Sequence, residues 1–229
     1  MEDSTIVNFS ATEAWYLNTS IIEDALEFFN LYFKLNKHPF TMEDVFQLGN
    51  FQFALKIENI AWRSFEMDEQ RYYRVNPLEF WKNLIKSMTQ SHYAIFHYYI
   101  ARVIRCGGMT VLDYGGGSGF LSYLLACHGF DVTFAEVNIV SLSWMRYLRF
   151  KRNIKMDIID LSVEEINRKY DVVICKDVLE HVKDPQSLLR KLEGYTGKQL
   201  LMSDPHEVKK YEDWLPMHYV HTQELSAKI

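Results

Sequence analysis

Cysteine is scarce in this chain of 229 residues, which contains only Cys106, Cys127 and Cys175. An odd number of cysteines in apolar surroundings does not make a disulfide framework, so we expect three buried, reduced thiols. The first ten residues, MEDSTIVNFS, lack the basic and apolar regions of a signal peptide. No run reaches the roughly 18 apolar residues that a membrane-spanning helix needs. These absences predict a cytoplasmic protein without a membrane span.

An excess of basic residues is also missing, since the formal net charge is −5. This balance argues against duplex nucleic acid as a partner and favours a small molecule. Hydrophobic residues make up 48% of the chain and charged residues 24%. Such a composition can bury a substantial core, so the chain is predicted to be globular.

The pattern of the sequence changes near Gly107. Before it, apolar residues recur at helical spacing, and we predict helices from four sets of start signals. These are the capping box of Ser20 and Glu23 ahead of Ile22, Leu26, Phe29 and Phe33; Thr41 before Met42–Asp44; Asn76-Pro77 with Glu79; and Ser91. Residues 1–105 are therefore predicted to form an all-helical region, either a lid that selects the substrate or a dimerisation surface.

After Gly107, predicted strands and helices alternate. The strands are MTVLDY, DVTFAEV, IKMDIID, YDVVICKDV and KQLLMSD; the helices are FLSYLLACHG, IVSLSWMRYLRF, a short helix capped by Ser162 and Glu165, and a helix that starts at Asp184-Pro185. This alternation predicts an α/β fold with a mostly parallel, doubly wound, Rossmann-like sheet over residues 106–229. Ligands of such sheets bind beyond the carboxyl ends of the strands.

Residues 111–119, VLDYGGGSG, place an acid and four glycines between the first strand and the first helix of this sheet. A nicotinamide dinucleotide site would need G-x-G-x-x-G, but the sixth position counted from Gly115 is Phe120. There is no GK[ST] phosphate loop either. An acid at the strand end would repel a diphosphate and attract an ammonium group, as S-adenosylmethionine carries.

Together with FAEVN and YDVVICKDVLEHVKDP, this segment resembles the class I S-adenosylmethionine-dependent methyltransferases over about residues 103–229. The resemblance implies that Asp113, Gly115 and Gly117 line the methionine moiety, with Asp113 near its ammonium group. It implies that Glu136 binds the ribose hydroxyls. The remaining implied site residues are Asp160 and Leu161 at the adenine edge, and Lys176 and Asp177 beside the sulfonium and the acceptor.

The stretch DVLEHV is similar to that in the quinone-biosynthesis O-methyltransferases and the small-RNA 2′-O-methyltransferases. Asp177, Glu180 and His181 have the spacing with which such relatives hold a divalent cation, and we expect all three on one face of a helical turn. His218 or His221 would be a fourth ligand. The metal-using relatives have glutamate at the first position, so we favour His181 as a metal-free general base or acceptor-positioning residue; a structural histidine stays open.

In this family the sheet normally ends with an antiparallel hairpin, but the sequence stops at HTQELSAKI, so we expect either a truncated chain or an unusual completion of the fold. A missing hairpin would expose the edge of the fifth strand. An edge strand exposed in this way would pair with another chain, so a homodimer is predicted through this edge or through the helical region. The predicted function is methyl transfer to an oxygen, nitrogen or carbon atom of a small molecule. The alternatives are a non-catalytic cofactor-binding or dimerisation module and an RNA methyltransferase.

Overall fold

A computed structural model describes residues 11–44, 63–64 and 68–203, without the side chains of residues 11–19, 69, 90 and 91. His218, His221 and the C-terminal segment for which a missing hairpin was predicted lie outside the described residues. No helix in the described part of the chain is long and apolar enough to cross a membrane.

The described residues before the sheet are mainly helical, as predicted, although residues 33–41 form turns and irregular structure. Their helices are α1 (Ala11–Tyr32), α2 (Glu69–Val75), α3 (Pro77–Ser87) and α4 (Gln90–Arg105). Asn76 ends α2 and caps α3, because its side chain accepts a hydrogen bond from the N–H of Leu78 and Pro77 occupies the first helical position. The chain therefore turns sharply between α2 and α3.

The remaining described residues alternate between strands and helices. They are β1 (Thr110–Tyr114), α5 (Phe120–Cys127), β2 (Asp131–Glu136), α6 (Ile139–Lys151), β3 (Asp157–Asp160), β4 (Tyr170–Cys175), a 3₁₀ turn (Leu179–His181), α7 (Pro185–Tyr195) and β5 (Thr196–Met202). All pairs of neighbouring strands are parallel, in the order β3-β2-β1-β4-β5. The predicted α/β, Rossmann-like fold is confirmed.

The sheet is covered on both faces because its strands alternate between two cores. In β1, Val111 faces one core and Leu112 the other. The first core contains residues of α1, α3, α4, α5 and α6, and the second contains residues of α7 and the 3₁₀ turn. This is the layering expected for a doubly wound sheet.

Helix α1 is attached to the sheet layer by apolar and charged contacts with α6. The ring of Phe28 lies 5.7 Å from that of Trp144. Asp24, which is 5% exposed, forms ion pairs with Lys151 at 2.9 Å and Arg152 at 2.6 Å. A buried carboxylate is stabilised by such pairing, so α1 is fixed in position and orientation.

Some local predictions are wrong. Helix α1 already runs through Ser20, so the S-x-x-E pattern lies inside a helix. Its most buried apolar residues are Ile21, Ala25 and Phe28; the predicted Phe29 is also buried, and the predicted Ile22 and Leu26 are only partly buried. Helix α4 is capped by Thr89 and begins before Ser91.

The short helix predicted at Ser162 is absent from the described residues, because the Asp160 carboxylate bonds the Ser162 N–H and hydroxyl and closes a turn. Cys127 is exposed and Cys106 is partly buried, so of the three free thiols only Cys175 is buried as expected.

Candidate active site

The candidate active site lies where β1, β2 and β4 end. Strands β1 and β4 are neighbours in the sheet although they are not consecutive in sequence. The helix after β1 covers one face and the helix after β4 the other, so this is the switch point at which parallel sheets bind ligands. The segment GGGSG follows β1, and Lys176 and Asp177 follow β4.

Asp113, the last buried residue of β1, is 3% exposed. Its Oδ2 atom accepts a hydrogen bond of 2.7 Å from the Ser122 hydroxyl on α5. Burial raises the pKa of Asp113 to about 6, although the Ser122 hydrogen bond and the positive charge of Lys176 both lower it. A nearby cation would stabilise the ionised form of this buried carboxyl group, which agrees with the ammonium contact that the resemblance implies.

The backbone of the glycine segment passes close to the segment after β4 at Gly115 and close to α3 at Gly117. Both residues have positive φ, 68° and 59°, which glycine adopts without strain. A Cβ atom on Gly115 would lie 2.5 Å from the Cγ2 atom of Val178, so a side chain there would displace the segment after β4. At Gly117 the nearest side-chain atom would be that of Asn83 on α3, at 3.4 Å.

Glu136 ends β2 and is 7% exposed. Its Oε1 atom accepts the N–H groups of Val137 (2.6 Å) and Asn138 (3.0 Å), and its Oε2 atom accepts that of Gly117 (2.8 Å). Burial raises the pKa of Glu136, against the effect of these three donors. A carboxylate has about four acceptor positions, and three of those on Glu136 are occupied. The remaining position, on Oε2 beside the Gly117 N–H, would accept a hydrogen bond from a ribose hydroxyl.

Asp160 and Leu161 lie at the end of β3, but both groups implied for the adenine already have partners. The two carboxylate oxygens of Asp160 form a bidentate ion pair with Arg74 of α2, each at 2.8 Å. Although burial opposes it, hydrogen bonds from Arg74 and Ser162 lower the pKa of Asp160. The Leu161 N–H donates to the Glu136 carbonyl at 3.0 Å. An adenine amino group would therefore share the carboxylate with Arg74.

Lys176 and Asp177 follow β4 directly and face α3. Lys176 Nζ donates to Asp177 Oδ2, and Lys86 Nζ of α3 lies 3.4 Å from the same oxygen. Burial tends to raise the pKa of Asp177, but the two lysines hold it below its ordinary value. The structure thus brings two cations and one carboxylate together at this strand end.

His181 lies in the 3₁₀ turn, and its Nδ1 atom is 2.7 Å from the hydroxyl of Tyr73 on α2. The expectation that Asp177, Glu180 and His181 share one face of a helical turn is wrong. Only Leu179–His181 form a turn, and Asp177 precedes it with a φ of 53°. No three His, Cys, Asp or Glu side chains in the described part of the chain are grouped to hold a metal ion.

A family model described as a methyltransferase domain matches residues 80–225, which is more than half of the chain. The chain belongs to this family. The resemblance to methyltransferases drawn from DYGGGSG, FAEVN and DVLEHV is confirmed.

Curated relatives with similar sequences are ubiquinone biosynthesis O-methyltransferases. The protein of Photorhabdus laumondii is 32% identical over 140 residues, covering 58% of this chain and 52% of its own. The protein of Escherichia coli (strain K12 / DH10B) is 33% identical over 144 residues, covering 59% and 52%. The chain thus spans about half the length of these relatives.

Among solved structures, the magnesium protoporphyrin IX methyltransferase of Synechocystis PCC 6803 with bound SAH is 21% identical. Its TM-score is 0.49, and the match covers 76% of this chain and 85% of that chain.

Helices α2 and α3 place side chains over the strand ends that were not predicted from the sequence. Asn138 Nδ2 donates to the carbonyls of Tyr73 (2.8 Å) and Asn76 (3.0 Å), which fixes the α2–α3 turn against the end of β2. Farther along α3, Ser87 Oγ is 3.3 Å from Ser118 Oγ of the glycine segment. No local sequence pattern identifies these contacts; the one available signal was the N-P pair at the turn.

Proposed function

We propose that this chain transfers a methyl group from S-adenosylmethionine to an oxygen atom of a small-molecule acceptor. The observation that carries the proposal is the pair of buried carboxylates, Asp113 and Glu136, on either side of the glycine segment. One suits an ammonium group and the other a ribose diol. The similarity to O-methyltransferases over 140–144 residues supports oxygen as the acceptor atom.

The residues at the site have separate roles in this proposal. Asp113, Gly115 and Gly117 bind the methionine moiety, Glu136 binds the ribose, and Asp160 with Leu161 borders the adenine beside Arg74. The bound cofactor supplies an electrophilic methyl group.

Lys176 and Asp177 border the acceptor, and alignment of the acceptor in a water-poor crevice is the main contribution of the protein. The new bond forms between the acceptor oxygen and the methyl carbon as the carbon–sulfur bond breaks. His181 accepts the hydroxyl proton of the acceptor. In this proposal the Nδ1–H group donates to the Tyr73 hydroxyl oxygen, which leaves Nε2 unprotonated, so the proton of the acceptor goes to Nε2.

Helices α2 and α3 act as the lid that the sequence predicted for residues 1–105. Side chains of these helices contact the strand ends. Arg74 contacts the end of β3, Tyr73 contacts the 3₁₀ turn, and Lys86 contacts the residue Asp177 after β4. We propose that this lid selects the acceptor. The cytoplasmic location and the homodimer stay predictions from the sequence.

The proposal is tested by calorimetric binding of S-adenosylmethionine and its demethylated product. Both should bind and NADH should not, because the site offers carboxylates where a diphosphate needs donors. Glu136→Ala should weaken binding by about 2 kcal/mol, the scale for hydrogen bonds to a charged group. Glu193→Ala, an exposed acid on α7, is the matched control and should leave the affinity unchanged.

Equal affinity in folded Glu136→Ala would contradict the ribose assignment. Turnover is then sought by incubating a metabolite extract with methyl-labelled cofactor. A non-catalytic module would bind the cofactor and label nothing. An RNA methyltransferase would label RNA added to the same assay.

A further inference from the structure

Two lysines from different parts of the fold converge on one carboxylate oxygen beside the glycine segment. Lys176 follows β4 and Lys86 lies in the last turn of α3, and both approach Oδ2 of Asp177. The side chain of Lys176 is 16% exposed and that of Lys86 is 48% exposed. Since two ammonium groups share one carboxylate, this lysine pair keeps a net positive charge.

The backbone at Asp177 distinguishes the lysine pair from an ordinary surface ion pair. Asp177 has a φ of 53°, a conformation that costs a non-glycine residue energy and persists where the surrounding structure enforces it. Its N–H donates to the Ser203 hydroxyl at 2.8 Å. The carboxylate is thereby held at the strand end, where it orients both ammonium groups.

The titratable groups around the lysine pair leave this region positive. Burial first, and then the charges of Lys86 and Lys176, lower the pKa of His92 to about 4, so its ring is neutral. Burial and the nearby Asp177 raise the pKa of Glu180 to about 7, so it is partly protonated at neutral pH. Asp113 lies in β1, before the glycine segment, and in the proposed function the ammonium group of the cofactor neutralises it.

We propose that the methyl acceptor carries a carboxylate and that this group binds between Lys86 and Lys176. The proposal rests on the proposed function, since it assigns the substrate class of the same site. Both ammonium groups already donate to a carboxylate oxygen, that of Asp177, so the pair has the charge and the donors that a second carboxylate needs. Ser87 of α3 contacts Ser118 of the glycine segment, and the charge of Lys176 acts on Asp113, so we place the pair beside the methionine end of the proposed cofactor site.

The test uses the full chain saturated with S-adenosylhomocysteine, with benzoate and its neutral isostere benzamide as probes in ligand-observed NMR. Benzoate should bind at millimolar concentration, and benzamide should bind at least about fivefold more weakly, because a charge-assisted hydrogen bond is lost. Lys86→Gln and Lys176→Gln should each remove most of this preference. Lys86→Arg should retain it, since the positive charge remains.

Lys191→Gln is the matched control, because Lys191 is exposed on α7 and the variant changes the net charge equally. It should keep the preference for benzoate. S-Adenosylhomocysteine binding by each variant shows that the variant is folded.

The proposal is overturned if benzoate does not bind at about 10 mM, if benzamide binds equally well, or if the two glutamine variants keep the preference. Any of these results with intact S-adenosylhomocysteine binding would leave the proposed methyltransferase function standing. Failure of the parent protein to bind S-adenosylhomocysteine would overturn both proposals together.

Discussion

At the scale of single residues, we predict that the proposed contact of Asp113 with the cofactor makes cofactor affinity depend on pH. Its carboxyl has a pKa raised to about 6 by burial, above the ordinary value of about 3.9. Binding of the cofactor ammonium group favours the ionised form and lowers this pKa. A protonated Asp113 must therefore release its proton on binding, so affinity should fall as the pH drops below about 6, by up to tenfold per pH unit.

Calorimetry with S-adenosylhomocysteine from pH 5 to pH 8 measures this dependence. Asp113→Asn should weaken binding at pH 7 and flatten the curve. Methylthioadenosine, which has no ammonium group, is the matched ligand; it should respond much less to pH, although the raised pKa of Glu136 adds to its curve. Parallel curves for the two ligands would refute the Asp113 contact.

Tyr73 is a positioning residue if His181 is the general base. Its hydroxyl lies 2.7 Å from Nδ1, so it fixes the ring orientation and the nitrogen that accepts the proton. Tyr73→Phe should lower kcat about tenfold with little change in cofactor affinity, and His181→Ala should lower it about 10²- to 10⁴-fold.

The double variant separates this role from a structural one. Tyr73→Phe in the His181→Ala background should cost nothing further, because the two side chains act as one unit. Tyr98→Phe, on an exposed tyrosine of α4, should leave kcat unchanged. Additive losses in the double variant would mean that Tyr73 acts independently of His181.

At the scale of elements, α2 is tied to the sheet through Arg74. Its guanidinium bonds both oxygens of Asp160 and the carbonyl of Val137, the last at 2.6 Å. The side chains of Arg74 and Asp160 are 28% and 12% exposed, so solvent screens the pair only in part. A double-mutant cycle of Arg74→Ala and Asp160→Asn should give a coupling of about 1–2 kcal/mol in denaturant unfolding.

The pH dependence of this coupling has a defined sign. Because the folded-state pKa of Asp160 is lowered, the coupling is fully present above the unfolded-state pKa of about 3.9 and is lost as the pH falls through the lowered value. A coupling near zero at pH 7 would show that α2 is held by other contacts.

The elements also show what the sequence can predict. Strand β1 and the glycine segment were identified because their chemistry is local: a buried run, an acid, then residues that permit positive φ. The pair Arg74–Asp160 spans 86 positions, so no spacing rule identifies it. At Ser162, where a short helix was expected, the chain forms a turn that the Asp160 carboxylate closes. The prediction that Asp177, Glu180 and His181 of DVLEHV share one helical face was wrong because it assumed α-helical spacing. In the structure, Asp177 has a left-handed conformation and a 3₁₀ turn follows it.

At the scale of the whole molecule, the sequence suggested a boundary between residues 105 and 106, whereas the first core contains side chains from both sides of it. Phe28 of α1 packs against Trp144 of α6 at 5.7 Å and against Phe80 of α3 at 6.2 Å. Phe80 in turn lies 5.8 Å from Trp144. Helical region and sheet therefore share buried aromatic surface, which couples their stability.

We expect the chain to unfold in a single cooperative transition. Urea unfolding followed by far-ultraviolet circular dichroism and by tryptophan fluorescence should give coincident midpoints. Phe28→Ala should lower both midpoints equally and reduce the free energy of unfolding by about 3–5 kcal/mol, because it removes a 5% exposed ring that contacts both sides of the predicted boundary. Phe150→Ala, on an 89% exposed ring of α6, should change stability by less than about 0.5 kcal/mol. Two separated transitions, or a Phe28→Ala effect confined to one of them, would show that residues 1–105 fold as an independent domain.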